Sequence, residues 1–137
     1  MASKREAWNI QPIKKPTSPL TDEIKAEVAA KAGEMIENVL KPKYVQPPPK
    51  DGMFNYIIDF GTKWYRHYFH FSSTYACPHP DAYEPTFESK FARMEYLGDG
   101  KFALYWRHYS KEWVGALDAL TLDESIEAIQ DDSLFMP

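Results

Sequence analysis

Lys63 to His79, KWYRHYFHFSSTYACPH, holds three of the four histidines and the only cysteine of the chain. His67, His70, Cys77 and His79 are four groups of the kinds that bind zinc tetrahedrally. Cys77 with His79 or His70 as its base is also the smallest set for a thiolate nucleophile, which needs a neighbour that lowers the thiol pKa. Spacing argues against the metal, because residues three apart on a regular strand, such as His67 and His70, point to opposite faces. A smaller set of Cys77, His79 and one strand histidine, or with Asp81 or Glu84, avoids that objection. The plainer reading makes His67 a hydrogen-bonded core histidine and lets the loop residues shape a proline-rich turn, since no C-x-x-C or H-E-x-x-H spacing is present. No serine elbow, phosphate-cradling glycine loop or dinucleotide fingerprint offers another active site. No cofactor is expected, and zinc is the one these side chains could accept.

The same stretch, read as a strand, splits by parity. Tyr65, His67, Phe69 and Phe71 form the more apolar set and are assigned to the core, where each fully buried large side chain contributes roughly 1.5 to 3 kcal/mol. Trp64, Arg66, Tyr68, His70 and Ser72 then lie on a half-exposed face. Tyr105, Arg107 and Tyr109, the outward set of a later strand, would join them. Rings alternating with arginine and histidine make a platform for recognition, because Tyr, Trp and Arg are the side chains enriched at interface anchors. The competing reading is an aromatic face covered by the chain's own arm or helix.

These residues need elements to position them. Met1 to Leu20 lacks periodicity and carries prolines, so residues 1–20 read as a flexible arm in which Trp8 and Ile10 could dock on the domain or on a partner. The remainder, 21–137, reads as one domain. Ile24, Val28, Ala32, Met35, Ile36, Val39 and Leu40 recur at helical spacing, with Thr21 as N-cap and Asp22 and Glu23 in the first turn, which predicts a helix over 21–41 ended by Lys41-Pro42. Residues 42–52, with Pro47-Pro48-Pro49, form a stiff linker. Residues 53–117 hold five strands. Phe54, Tyr56, Ile58 and Phe60 alternate in the first, and Gly61-Thr62 supplies its turn. A proline-punctuated loop spans Thr74 to Thr86. In the third strand, Phe87 to Leu97, the apolar parity shifts between Phe91 and Ala92, which predicts a bulge. Gly98-Asp99-Gly100 leads into a fourth strand with Phe102, Leu104 and Trp106 inward. Ser110-Lys111 turns the chain into a short fifth, Trp113 to Leu117. Thr121 and Glu124 have capping-box spacing, and Leu122, Ile126 and Ile129 form the stripe of a closing helix over 121–131, with Phe135 placed to seal the core.

Composition agrees with an aromatic sheet: aromatic residues make up 15% of 137, which favours strands over a helical bundle. The single cysteine excludes an intramolecular disulfide framework, and no apolar run approaches the roughly 20 residues of a membrane span, so the chain reads as soluble and cytoplasmic, with no membrane partner. A net charge of −4 argues against duplex nucleic acid and leaves a protein partner or self-association. Charge is uneven: Lys4, Arg5, Lys14 and Lys15 face a lone Glu6 in residues 1–20, whereas residues 118–137 carry six acids and no Lys or Arg. The two ends could therefore attract each other, within one chain or between two.

The run Leu104-Tyr105-Trp106-Arg107, followed by Lys111 and Trp113, then a capped helix with Asp131 and Asp132 ahead of Phe135, resembles a bacterial family known as domain of unknown function 3024. Its members pair an N-terminal helix with an antiparallel sheet, a Leu-Tyr-Trp-type strand, a Lys-x-Trp turn and a short acidic helix ending in an aromatic residue. The likeness is closest from Phe91 to Phe135 and looser from Thr21 to Phe60. The chain departs from the family pattern in ending Phe135-Met136-Pro137 and in its Cys77-Pro78-His79 loop. The resemblance implies an α+β fold and brings no functional residues with it. Together with the residues, it leads to an expected α+β domain: a helix, an antiparallel meander of about five strands and a short C-terminal helix. Its expected role is non-enzymatic binding through the aromatic and arginine face. The alternative is a metal- or cysteine-dependent enzyme centred on His67, His70, Cys77 and His79.

Overall fold

The computed structural model describes residues 15–50 and 52–137; Trp8 and Ile10 of the N-terminal arm lie outside them. Helix α1 spans Asp22–Met35 and starts where its cap residue dictates, with the Thr21 hydroxyl accepting from the Ile24 amide at 3.2 Å. Val28, Ala32, Met35, Ile36 and Leu40 form its buried stripe. The expected stop at Lys41-Pro42 is three residues early. A π turn over Ile36–Leu40, in which the Lys41 amide bonds the Ile36 carbonyl, leads into a last helical segment, α2, over Lys41–Tyr44. Proline is tolerated in the first turn of a helical segment, where its missing donor would lack a partner anyway, so the π turn lets the helix restart across Pro42.

Five strands follow as an antiparallel meander in the order β1-β2-β3-β4-β5: Tyr56–Tyr65, Tyr68–Ala76, Thr86–Gly98, Lys101–Arg107 and Trp113–Leu120. The first turn is at Arg66-His67 instead of the expected Gly61-Thr62, which lie inside β1 opposite Ser72 and Phe71. A turn at Gly61-Thr62 would set Phe60 beside Lys63; the observed one sets Trp64 opposite Phe69, with ring centroids 5.0 Å apart. The chain reversal breaks the assumed parity. Phe69 and Phe71 are core residues, as expected, but Trp64 packs with them and Tyr65 is 55% exposed. A bulge at Ile58 makes a second parity change, so that Ile57 and Phe60 reach the core while Ile58 faces out. The bulge expected near Phe91 is present: Phe71 pairs with Ala92 and Ser72 with Lys90, leaving Phe91 as the extra residue.

The helix over Asp22–Met35 and the closing helix over Leu122–Asp131 cover the sheet face that carries Phe69 and Phe71, where Met94, Tyr96, Phe102 and Leu104 complete the strand side of the core. Strand β5 runs three residues beyond the expected Leu117 and feeds α3, Leu122–Asp131. The capping box is formed, with the Thr121 hydroxyl accepting from the Glu124 amide at 3.2 Å and the Glu124 carboxylate from the Thr121 amide at 2.9 Å. Ile129 is buried, and Phe135 closes the core from a 3₁₀ turn over Ser133–Phe135.

The chain just before α1 is tied to the β3–β4 turn. The Thr17 amide donates to the Leu97 carbonyl at 2.9 Å, and the Asp99 amide donates to the Ser18 hydroxyl at 2.7 Å. Gly98 makes that approach possible: at φ +106 it holds a conformation L side chains avoid, and a Cβ there would fall 2.1 Å from the Thr17 hydroxyl oxygen.

Candidate functional site

Strand alternation gives the second sheet face its own rows of side chains. Tyr65, Tyr68, Glu95 and Ala103 stand in one register row; Lys63, His70, Arg93, Tyr105 and Gly115 stand in the next, with Arg107 opposite Trp113 beyond it. Of the residues named from the sequence, Tyr68, His70, Tyr105 and Arg107 meet here. Three others were not foreseen: Arg93, Glu95 and Trp113. Arg93 and Glu95 alternate with Ala92, Met94 and Tyr96, so the signal was the outward parity of β3 combined with its pairing to Tyr105.

Arg93 is the centre of this layer. Its guanidinium carbon lies 4.2 Å from the Tyr68 ring centroid, 4.6 Å from that of Tyr105 and 4.8 Å from that of Trp113, and Arg107 lies 4.8 Å from Trp113 on its own account. A cation over ring faces is attracted by their quadrupoles, more strongly as water is removed. Beside it Glu95 is fully buried. Tyr105 donates its hydroxyl to Glu95 Oε1 at 2.8 Å, and His67 Nε2 stands 3.2 Å from Oε2. A buried carboxylate is tolerated only with such partners.

Burial and then the Glu95 hydrogen bond push the Tyr105 phenol far above its usual range; burial, followed by the Glu95 charge, raises Tyr68 as well. Burial lowers Arg93, which remains a cation. His70 is pushed down to about 4, first by burial and then by the positive charges of Lys90, Arg93 and Arg107, so its imidazole is neutral at physiological pH. Two buried nitrogens, His70 Nδ1 and Arg93 Nε, have no hydrogen-bond partner among the described residues, and each such group costs about 1 to 3 kcal/mol.

The remaining expected face residues lie elsewhere. Trp64 is on the helix face, its indole N–H donating to the Lys25 carbonyl at 3.2 Å. Arg66 sits in the β1–β2 turn, with its guanidinium over Tyr65. Tyr109 is 92% exposed in the loop between β4 and β5. The four zinc-type groups are not brought together. His70 and Cys77 are separated by seven residues of extended β2 chain, about 23 Å of strand. Among the described residues no group of three or more His, Cys, Asp and Glu side chains could hold a metal ion. Cys77 and His79 instead line an open cleft of about 440 Å³ with Asp81 and Glu84, and the His79 ring accepts the Asp81 amide at 3.0 Å. His67 sits in the turn against Glu95, hydrogen-bonded as expected but outside the apolar core.

Among the described residues no helix is long and apolar enough to cross a membrane. No curated protein and no solved structure matches the chain. A family model does match, over residues 20–137, and so takes in all three α-helices and all five strands. That range includes the Leu104-Tyr105-Trp106 strand, the Lys111-x-Trp113 turn and the capped acidic helix, and the chain is a member of the family described as Domain of unknown function (DUF3024).

Proposed function

We propose that this domain is a non-catalytic recognition module whose second sheet face binds an acidic surface of a protein partner. The observation that carries the reading is a set of cations that make no salt bridge with a described residue, although the charge of Glu95 acts on Arg93. Lys63, Lys90, Arg93 and Arg107 share one side of the sheet, and none of them forms an ion pair with a described residue. The chain as a whole is acidic, so this face stands out against its own field. Glu95 is already engaged by Tyr105 and His67.

Rigidity supports recognition over catalysis. Arg93 is held between rings, which lowers the entropy lost when it pairs with a carboxylate. Arg107 and Trp113 are half-buried, at the margin of the layer, where an incoming side chain can reach them. Aromatic and arginine anchors of this kind carry most of the free energy at protein interfaces. The overall charge disfavours nucleic acid, whose phosphates would meet six acids and no Lys or Arg in residues 118–137.

The test is position-dependent photo-crosslinking in the native cell, with a photoreactive residue at Lys63 or Lys90 and a control at Glu127 on α3. The expected result is one protein captured from the sheet-face positions and not from Glu127, and purified complex formation that weakens as salt is raised. Equal capture from all three positions, or none, would rule the face out as a binding surface.

A further inference from the structure

A second concavity lies beside this face. It is an open cleft of about 640 Å³ between the segment preceding α1, α1 itself and the β1–β2 turn, and its lining includes Lys15, Lys25, Arg66 and His67 together with Pro19 and Leu20. Among the described residues no acidic side chain is in that lining, although Asp22 and Glu23 stand in the first turn of α1. None of Lys15, Lys25 and Arg66 forms an ion pair with a described residue. Two parts of the chain distant in sequence, residues 15–25 and the β1–β2 turn, therefore bring three cations that make no ion pair with a described residue to one cleft of an acidic protein.

The surrounding contacts hold these cations in place. Thr17 and Ser18 fix the first segment through Leu97 and Asp99. The Trp64 indole ties the Lys25 backbone to the hairpin. His67 is oriented by the fully buried Glu95. Arg66 occupies φ +55, a conformation that glycine or asparagine adopts at less cost, so the turn keeps an arginine in the cleft lining against its own backbone preference, with its guanidinium over the Tyr65 ring.

We propose that this cleft binds a phosphate monoester. Three cations exceed the charge of one carboxylate and suit a dianion, and the planar fork of Arg66 matches phosphate oxygens. The volume lies within the range of about 300 to 1,000 Å³ usual for small-molecule sites, and Pro19 and Leu20 offer apolar contact to the group the phosphate carries. The monoester is either a small phosphorylated compound or a phosphorylated side chain of a protein. This site uses cations outside the recognition face and stands or falls independently of it.

The experiment is calorimetric titration of the full chain at low salt with glycerol phosphate and with a phosphoserine hexapeptide, each beside its unphosphorylated counterpart. Saturable binding of a phosphorylated probe alone is expected, weakened about tenfold by Lys25→Ala and by Arg66→Gly and unchanged by Lys43→Ala. Arg66→Gly removes the guanidinium while relieving the turn, so its fold is retained and a loss of affinity is a loss of the site. Tighter binding of the peptide would assign the phosphate to a modified protein, and tighter binding of glycerol phosphate to a small compound; both uphold the site. No saturable binding of either probe, or undiminished affinity in both cleft variants, would overturn it.

Discussion

Burying an imidazole among cations gives His70 a pH signature. Burial and the charges of Lys90, Arg93 and Arg107 lower its pKa from 6.5 to about 4, with Tyr68, Tyr105 and the engaged Glu95 as its other ionisable neighbours on that face. Between those two values the unfolded chain takes up a proton that the folded chain does not. Stability from this group is therefore full above about 6.5 and is lost as pH falls toward 4, by about 3 kcal/mol in all. Urea denaturation at pH 7 and pH 4.5 should show a smaller loss for His70→Gln than for the native protein; equal losses would mean that His70 titrates normally. Glu95→Ala leaves the Tyr105 hydroxyl without its acceptor and should cost about 3 kcal/mol, with Glu95→Gln losing less because the amide oxygen still accepts. At this scale the sequence was only partly legible. Tyr68, His70, Tyr105 and Arg107 followed from alternation, but Arg93 and Glu95 become site residues only when β3 is paired with β2 and β4, and pairing is a long-range property that no local pattern states.

Helix starts are written locally, and the elements show it. Thr21 caps α1, Thr121 and Glu124 form the capping box of α3, and both were visible as spacing because a cap is satisfied within three residues. Thr121→Ala should lower stability by about 1 kcal/mol in chemical denaturation. The first hairpin was not legible in the same way. Gly61-Thr62 carries the commoner turn residue, yet the turn falls at Arg66-His67, because setting Trp64 against Phe69 is a cross-strand gain that the turn residues do not reveal. That displacement moved Trp64 from the expected binding face to the helix face, and with it the variant best suited to test binding. Pro42 misled for a related reason, since a π turn upstream let the helix continue through it. Gly98 holds both the β3–β4 turn and the Thr17 contact. Gly98→Ala should destabilise by more than about 2 kcal/mol, visible as an early midpoint, because backbone strain and a clash with Thr17 act together.

Across the whole molecule, one sheet divides two jobs. The face carrying Phe69, Phe71, Met94 and Leu104 is closed by α1, α3 and Phe135 and makes the domain. The opposite face is closed by its own side chains, Arg93 among Tyr68, Tyr105 and Trp113, and presents cations that form no ion pair with the described residues of an acidic chain. The α+β architecture was legible because helical stripes and strand alternation are repeated over many residues, so single parity errors at Ile58 and Trp64 did not alter the fold. The division of faces also separates binding from the cysteine chemistry that the sequence suggested, since Cys77 lies beyond the far end of β2. The most direct measurement is the dissociation constant of the purified complex with the crosslinked partner for four proteins: native, Arg107→Ala, Trp113→Ala and Cys77→Ser. Recognition by the sheet face predicts that Arg107→Ala and Trp113→Ala each weaken binding about tenfold or more while Cys77→Ser binds as the native protein does. Loss of binding in Cys77→Ser with the two sheet-face variants unaffected would contradict it.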